Sequence, residues 1–412
     1  YVGPVSFMKL PWIKDPAGIP ALVGVLGDYG GYDYHGADGP NIGQAAQEAL
    51  SEFPYDLTAA ECLRQLSANP NAKARAGIPV FFIILYDNAL DNPVAQQHLA
   101  SYFPALIEDL KNDPSPEVKC GLIELIIVCD GPSLVPLLTE YLQHPLARVR
   151  GKAASSLAEY YKSRESLPAI LDVLSREKEA AALRGMLSAV EYFEAREAVP
   201  LIIPLLAHRD REIRARAAGL LGTFKSRKAV PALLEAMQND SGDGRVAGQA
   251  IAALGQIGDP VAVEPIISCL DHPKPDVYTA AIDALRDLDD PRASQPLVNL
   301  INHQKGYQAL SALSCMSDPR IPGLILGVCP AVRYDAFRAD IAEYFGEKKV
   351  SQALAILCQW LKSRDSLVRY HCAEALGRIG SRDALPALKE ALKKEQDVAA
   401  KESLQEAIKA LQ

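Results

Sequence analysis

Apolar residues recur along this chain at helical spacing, in short runs that open with a proline. The run Val230, Leu233, Leu234 and Met237 in VPALLEAM forms an apolar stripe with a period near 3.6 residues. The same Val/Leu-Pro-Ala/Leu opening marks Pro104, Pro136, Pro168, Pro200, Pro231 and Pro386, and Glu264, Gln295, Pro322 and Leu354 hold its place in weaker copies. Successive intervals from Pro104 are 32, 32, 32, 31, 33, 31, 27, 32 and 32 residues. Proline costs little in the first turn of a helix, where the N–H it lacks would have no intrahelical acceptor. The spacing therefore predicts a first helix of about ten residues in every unit.

A second pattern, V-R-x-x-A-A-x-x-L, follows each of these helices. Copies stand at Val149-Arg150 with Ala153, Ala154 and Leu157, at Ile213-Arg214 with Ala217, Ala218 and Leu221, and at Val368-Arg369 with Cys372, Ala373 and Leu376. Its alanines let neighbouring helices approach closely and its leucine fills the layer between units. Gly377 and Gly380, like Gly255 and Gly258, are expected to end this helix. A two-helix unit cannot hold a core alone, so units must stack. The reading is an all-α protein: a right-handed α-solenoid of about twelve helical hairpins. The one strand-like run, Ile78 to Tyr86 (IPVFFIILY), is read as a buried second helix.

The N-terminal quarter is looser. First helices start near Pro20 and Ala60, but the gaps to the next signatures are 40 and 44 residues. Extra residues lie at Gly27 to Pro40 and around Asp87 to His98. The expected organisation is one continuous solenoid: atypical capping repeats with long loops over 1–92, regular repeats over 93–382, and a capping repeat over 383–412 that ends in the polar helix KESLQEAIKALQ.

Composition narrows the function. A net charge of −8 over 412 residues argues against bulk nucleic-acid affinity, and ten of the fifteen charged residues up to Asn92 are acidic. No apolar run is long enough to span a membrane. The eight cysteines show no C-x-x-C pair and fall mostly at apolar helix positions, which suits reduced thiols and a cytoplasmic compartment, although the chain starts at Tyr1 and a removed leader stays open.

Val368 to Leu388 (VRYHCAEALGRIGSRDALPAL) resembles HEAT repeats, and specifically the bacterial-style phycobilisome-lyase-type HEAT-like repeats. The resemblance covers residue 93 onward well and the first quarter poorly, and it is specific for fold. It implies that first helices form an outer side and V-R helices a concave wall. It also implies that Arg150, Arg214 and Arg369 are structural, bridging repeats through an acidic partner; Tyr278 interrupts that ladder. Partner-reading positions in such repeats flank V-R and follow A-A. Carried over, they give Glu117, Cys120 and Glu124, then a basic belt of Arg148, Lys152, Arg184, Arg211, Arg216 and Arg245 with Gln249, then Asp276, Thr279 and Asp283, and finally Tyr370, His371 and Glu374.

These residues point to a non-enzymatic protein–protein interaction scaffold, its concave groove binding an acidic peptide or protein surface, with Tyr370 and His371 as an aromatic anchor. The alternative is a bilin lyase or chromophore chaperone of the phycobilisome-lyase type, its belt arginines gripping propionates. The Gly27–Pro40 loop adds Tyr29, Tyr32 and Tyr34 as recognition candidates, and its Asp28, Asp33, His35 and Asp38 match no known cation loop. No histidine is followed by glutamate, and no H-E-x-x-H, Walker loop or nucleophile elbow is present, so neither catalytic residues nor a metal or cofactor is expected. The pairs Tyr160-Tyr161, Tyr192-Phe193 and Tyr344-Phe345 are read as packing between repeats.

Overall fold

In the computed structural model, residues 15–26, 42–88, 93–128, 134–239 and 242–412 are described, and all their regular structure is helical. They form twelve helix pairs, from Ile19–Val23 with Ile42–Ser51 to Leu385–Lys394 with Val398–Leu411, plus an extra helix Pro93–Ala100. The fold is the expected α-solenoid. It packs as two compact units that divide between Leu201 and Ile202. That division falls inside the helix Val199–Ile202, the shortest first helix, where Pro204 turns the following Ile203–Ala207 into a 3-10 helix.

The proline signature sits where its chemistry requires. Pro104, Pro136, Pro168, Pro231, Pro322 and Pro386 all occupy the first two positions of their helices. Most first helices are shorter than the expected ten residues, such as Val135–Tyr141 and Leu354–Trp360, at seven each. In most repeats from Arg164 onward a single 3-10 turn supplies the missing length, as at Arg164–Ser166, Arg227–Ala229 and Arg382–Ala384. The run Ile78 to Tyr86 is helical within Ala72–Asn88, and Ile78, Phe81, Phe82 and Leu85 are fully buried.

Glycine plays two parts, and one differs from expectation. Gly258 and Gly380 take positive φ (74° and 82°) and cap their helices as predicted. Gly255 and Gly377 lie inside the helices instead, where added Cβ atoms would meet Ala284 and Ala407 of the next second helix at 2.8 and 3.2 Å. They are contact points between repeats, not stops. The closest such crossing is Gly151 with Gly185: a Cβ on Gly185 would lie 1.9 Å from the Gly151 carbonyl oxygen. Where glycine is missing from the cap, Lys162, Glu194, Lys225, Asp289 and Lys349 adopt φ near 50° themselves.

Arginine fastens five of the second helices to the turn before them. Arg75, Arg150, Arg214, Arg338 and Arg369 each donate to the carbonyl six residues earlier, at 2.6, 2.8, 2.8, 2.8 and 2.9 Å. Three of them also pair with a carboxylate three residues before the next second helix: Asp113, Glu177 and Glu395, each at 2.6 Å. Glu177 and Glu395 accept two backbone N–H bonds as well, at Lys178 and Glu179 and at Gln396 and Asp397. Arg214 lacks this partner because Gly242 stands at the matching position, and its bridging role reduces to its carbonyl bonds. Where Tyr278 replaces the arginine, the next repeat's Lys305 ammonium sits 4.3 Å from its ring and donates to the Leu270 carbonyl at 2.6 Å.

The aromatic pairs are only partly core. Phe193, Tyr344 and Phe345 are buried, whereas Tyr160 and Tyr192, at the ends of their helices, are exposed.

Candidate functional site

The N-terminal unit carries Arg148, Lys152 and Arg184, all on second helices. Arg148 is exposed in the first turn of Ala147–Glu159, and its charge acts on Glu117 of the preceding second helix. The Ser115 hydroxyl, which donates to Glu117 at 2.7 Å, and then Arg148 hold that carboxyl below its ordinary range. Lys152 meets Glu124 at 3.3 Å. Arg184 is exposed on Ala180–Tyr192. Cys120 is buried, and burial raises its thiol, so it is an inert wall residue.

The C-terminal unit carries the rest. Arg211 and Arg245 are the first residues of consecutive second helices, Arg211–Thr223 and Arg245–Ile257. They pair crosswise: Arg211 with Asp243 at 2.8 Å, and Arg245 with Glu212 at 2.7 Å. The four charges alternate over two helix starts, and all remain in contact with water. The Arg245 backbone N–H, and then the Arg211 guanidinium, hold the Asp243 carboxyl below its usual range. Arg216 is half-buried on the same helix as Arg211, and Gln249 is exposed four residues after Arg245. Further along, Asp276 is exposed, Thr279 is half-buried and Asp283 pairs with Arg286 at 2.8 Å.

Tyr370, His371 and Glu374 stand together on Ser366–Ile379. The Tyr370 and His371 rings meet edge-on with centroids 5.1 Å apart, and His371 Nδ1 lies 3.8 Å from a Glu374 oxygen. Glu374 is held by Arg378 at 2.9 Å. The preceding second helix adds Asp340, whose carboxyl is pushed up by burial and by Glu343 beside it. Asp340 and Glu343 stand at the repeat positions of His371 and Glu374, and the degenerate F-R opening at Phe337-Arg338 hid them. Tyr29, Tyr32 and Tyr34, with the rest of the Gly27–Pro40 loop, lie outside the described residues.

Sequence reasoning also missed the carboxylates that answer the belt, Glu212 and Asp243, because their pairing depends on which helix starts adjoin. A groove of about 850 Å³ between Leu354–Trp360 and Leu385–Lys394 was equally illegible; Cys358, Lys362 and Lys394 line it and the Arg369–Glu395 pair is part of its wall. Among the described residues, no three His, Cys, Asp or Glu side chains are grouped to hold a metal ion, and no helix is long and apolar enough to cross a membrane.

Among solved structures, the chain resembles Kap95p, in a structure on how its binding induces the switch loops of RanGDP to adopt the GTP-bound conformation, at 13% identity and TM-score 0.52. That likeness covers 96% of this chain, which spans 60% of the Kap95p chain. Importin beta is similar at 13% identity and TM-score 0.51 over 96% of this chain and 69% of its own. The CpcE–CpcF phycocyanin lyase complex of Nostoc sp. PCC7120 is 21% identical over 69% of this chain and 97% of its own, at TM-score 0.35. Comparison with curated proteins finds no sequence match. The sequence profile of HEAT repeats matches residues 103–184, 167–245, 240–315 and 331–409, and so the chain belongs to the HEAT-repeat family.

Proposed function

We propose that this protein is a non-enzymatic interaction scaffold whose second-helix faces bind an acidic peptide or protein surface. The observation that carries the reading is the kind of partner the belt cations have. Lys152, Arg211 and Arg245 are held by carboxylates that are themselves well exposed. Exposed pairs contribute only about 0–1 kcal/mol, so a docking carboxylate can replace Glu124, Asp243 or Glu212 at little cost. Arginine forks suit such exchange, and the Tyr370–His371 pair supplies an aromatic contact elsewhere on the C-terminal unit. The solenoid itself suits the role, since stacked repeats present long surfaces, and the Kap95p structure is one in which this fold binds a protein, RanGDP. On this reading the regular repeats over 93–382 carry the surface, and the last hairpin closes the stack with its exposed Lys401, Glu402, Gln405 and Glu406.

The test is titration of a fluorescent glutamate-rich peptide into the wild type and into a variant with Arg148→Glu, Arg211→Glu and Arg216→Glu. The expected result is unchanged circular dichroism with at least tenfold weaker, salt-sensitive binding. Equal affinity in the two proteins would sink the belt. A bilin lyase, by contrast, would change the visible spectrum of added bilin, and the scaffold is expected to leave it unchanged.

A further inference from the structure

Four second helices at the end of the C-terminal unit begin side by side: Gly306–Cys315, Asp335–Glu347, Ser366–Ile379 and Val398–Leu411. Contacts at both ends show that they run parallel. Near the starts, Phe337 approaches Gly306, and Arg369 reaches Glu395 just ahead of Val398; near the ends, Gly346 meets Ala375 and Gly377 meets Ala407. Their first turns therefore share one edge.

On or beside each of these turns stands a large apolar side chain in water. Tyr307 is 67% exposed, Tyr334 61%, Leu367 54% and Val398 72%. Single exposed apolar residues need no account, but here one stands at each of four adjoining helix starts, whose axes are about 8–10 Å apart. The charges along the edge are of two kinds. The carboxylates are committed: Asp335 pairs with Arg338 at 2.9 Å, Asp365 accepts from the Leu367 and Val368 N–H groups, and Asp397 accepts from Ala400 N–H. Arg333 and Arg364 are exposed, and their guanidinium groups have no ion pair among the described residues.

We infer that this edge docks an extended acidic segment with apolar side chains at every third position. A polyproline-II chain rises about 3.1 Å per residue with three residues per turn, so every third side chain falls on one face about 9 Å from the last. That repeat matches the step between helices, and acidic residues between the apolar ones face Arg333 and Arg364. The inference rests on the scaffold reading but uses none of the belt residues.

The probe is a labelled twelve-residue peptide repeating Leu-Pro-Glu, with a Leu-Pro-Lys peptide as control, measured by fluorescence anisotropy on the full chain. The expected result is binding of the acidic peptide alone. It should weaken at least tenfold with Tyr307→Ser, Tyr334→Ser, Leu367→Ser and Val398→Ser combined, and equally with Arg333→Glu plus Arg364→Glu. All six positions are on the surface, so the variants should keep the wild-type circular dichroism. Failure of the wild type to bind, equal binding of the lysine peptide, or unchanged affinity in both variants overturns the proposal. So does a change from oligomer to monomer in the serine variant, which would make a second copy the occupant. Binding to phosphatidylserine vesicles in place of the peptide overturns it as well. Loss of peptide binding only in the Arg148, Arg211 and Arg216 variant would keep the scaffold reading and remove this edge.

Discussion

Two sets of arginine–carboxylate pairs run through this protein at nearly the same distance, and they do different work. Arg369 and Glu395 meet at 2.6 Å with side chains 18% and 1% exposed; Arg211 and Asp243 meet at 2.8 Å with side chains 61% and 51% exposed. The first pair is built in. Arg369 also binds the Ser363 and Arg364 carbonyls, and Glu395 also accepts from the Gln396 and Asp397 N–H groups just ahead of the last helix. The second pair lies on the surface, where water competes for both partners. Distance alone would rank them as equals. Burial and the number of other bonds made by each group separate a structural clamp from an exchangeable contact.

The sharpest break of this contrast is Arg369→Met. It leaves the Glu395 carboxylate buried without its cation, which costs about 3–5 kcal/mol in such settings. Hydrogen exchange should show the loss concentrated in Ser366–Ile379 and Val398–Leu411, because stacked repeats share stability with nearest neighbours. Loss spread evenly over the C-terminal unit would contradict a local clamp.

A smaller effect follows from acid. The Arg369 guanidinium, helped by the backbone N–H groups of Asp397 and Gln396, holds the Glu395 carboxyl down at about 2 from an ordinary 4.5. A depressed carboxylate contributes stability that is complete above the unfolded value and lost as pH falls through the folded one. Protection of the last two hairpins should therefore decline between pH 4.5 and about 2. The decline should flatten in Arg369→Met, and an equally steep decline there would assign the acid sensitivity to other carboxylates.

The smallest expected effect is Arg211→Met, within about 0.5 kcal/mol of wild type. Chemical denaturation checks it. A loss comparable to that of Arg369→Met would mean the crosswise pairs hold the fold, and would remove them as exchangeable contacts.

Much of the architecture was legible because its causes are local. Pro136, Pro168 and Pro231 mark helix starts by lacking an N–H where none is needed, and Gly258 and Gly380 mark helix ends by tolerating positive φ. Gly255 and Gly377 misled for an instructive reason. Glycine is also required wherever a neighbouring helix comes too close for a Cβ, and only the position of that neighbour tells the two uses apart. The candidate surface was legible as a set of residue types but not as a set of charges. Arg211 and Arg245 stand out in sequence, whereas the Asp243 and Glu212 that answer them sit 32 and 33 residues away on another repeat.

The sequence by itself determined the repeat, its period and the residues that start, stop and fill each helix, since all of these depend on backbone bonds within a few residues. Tertiary structure alone decided which arginines are clamped and which are exchangeable, and where Tyr307, Tyr334, Leu367 and Val398 adjoin. Burial and charge pairing belong to the packing between repeats, about thirty residues apart along the chain.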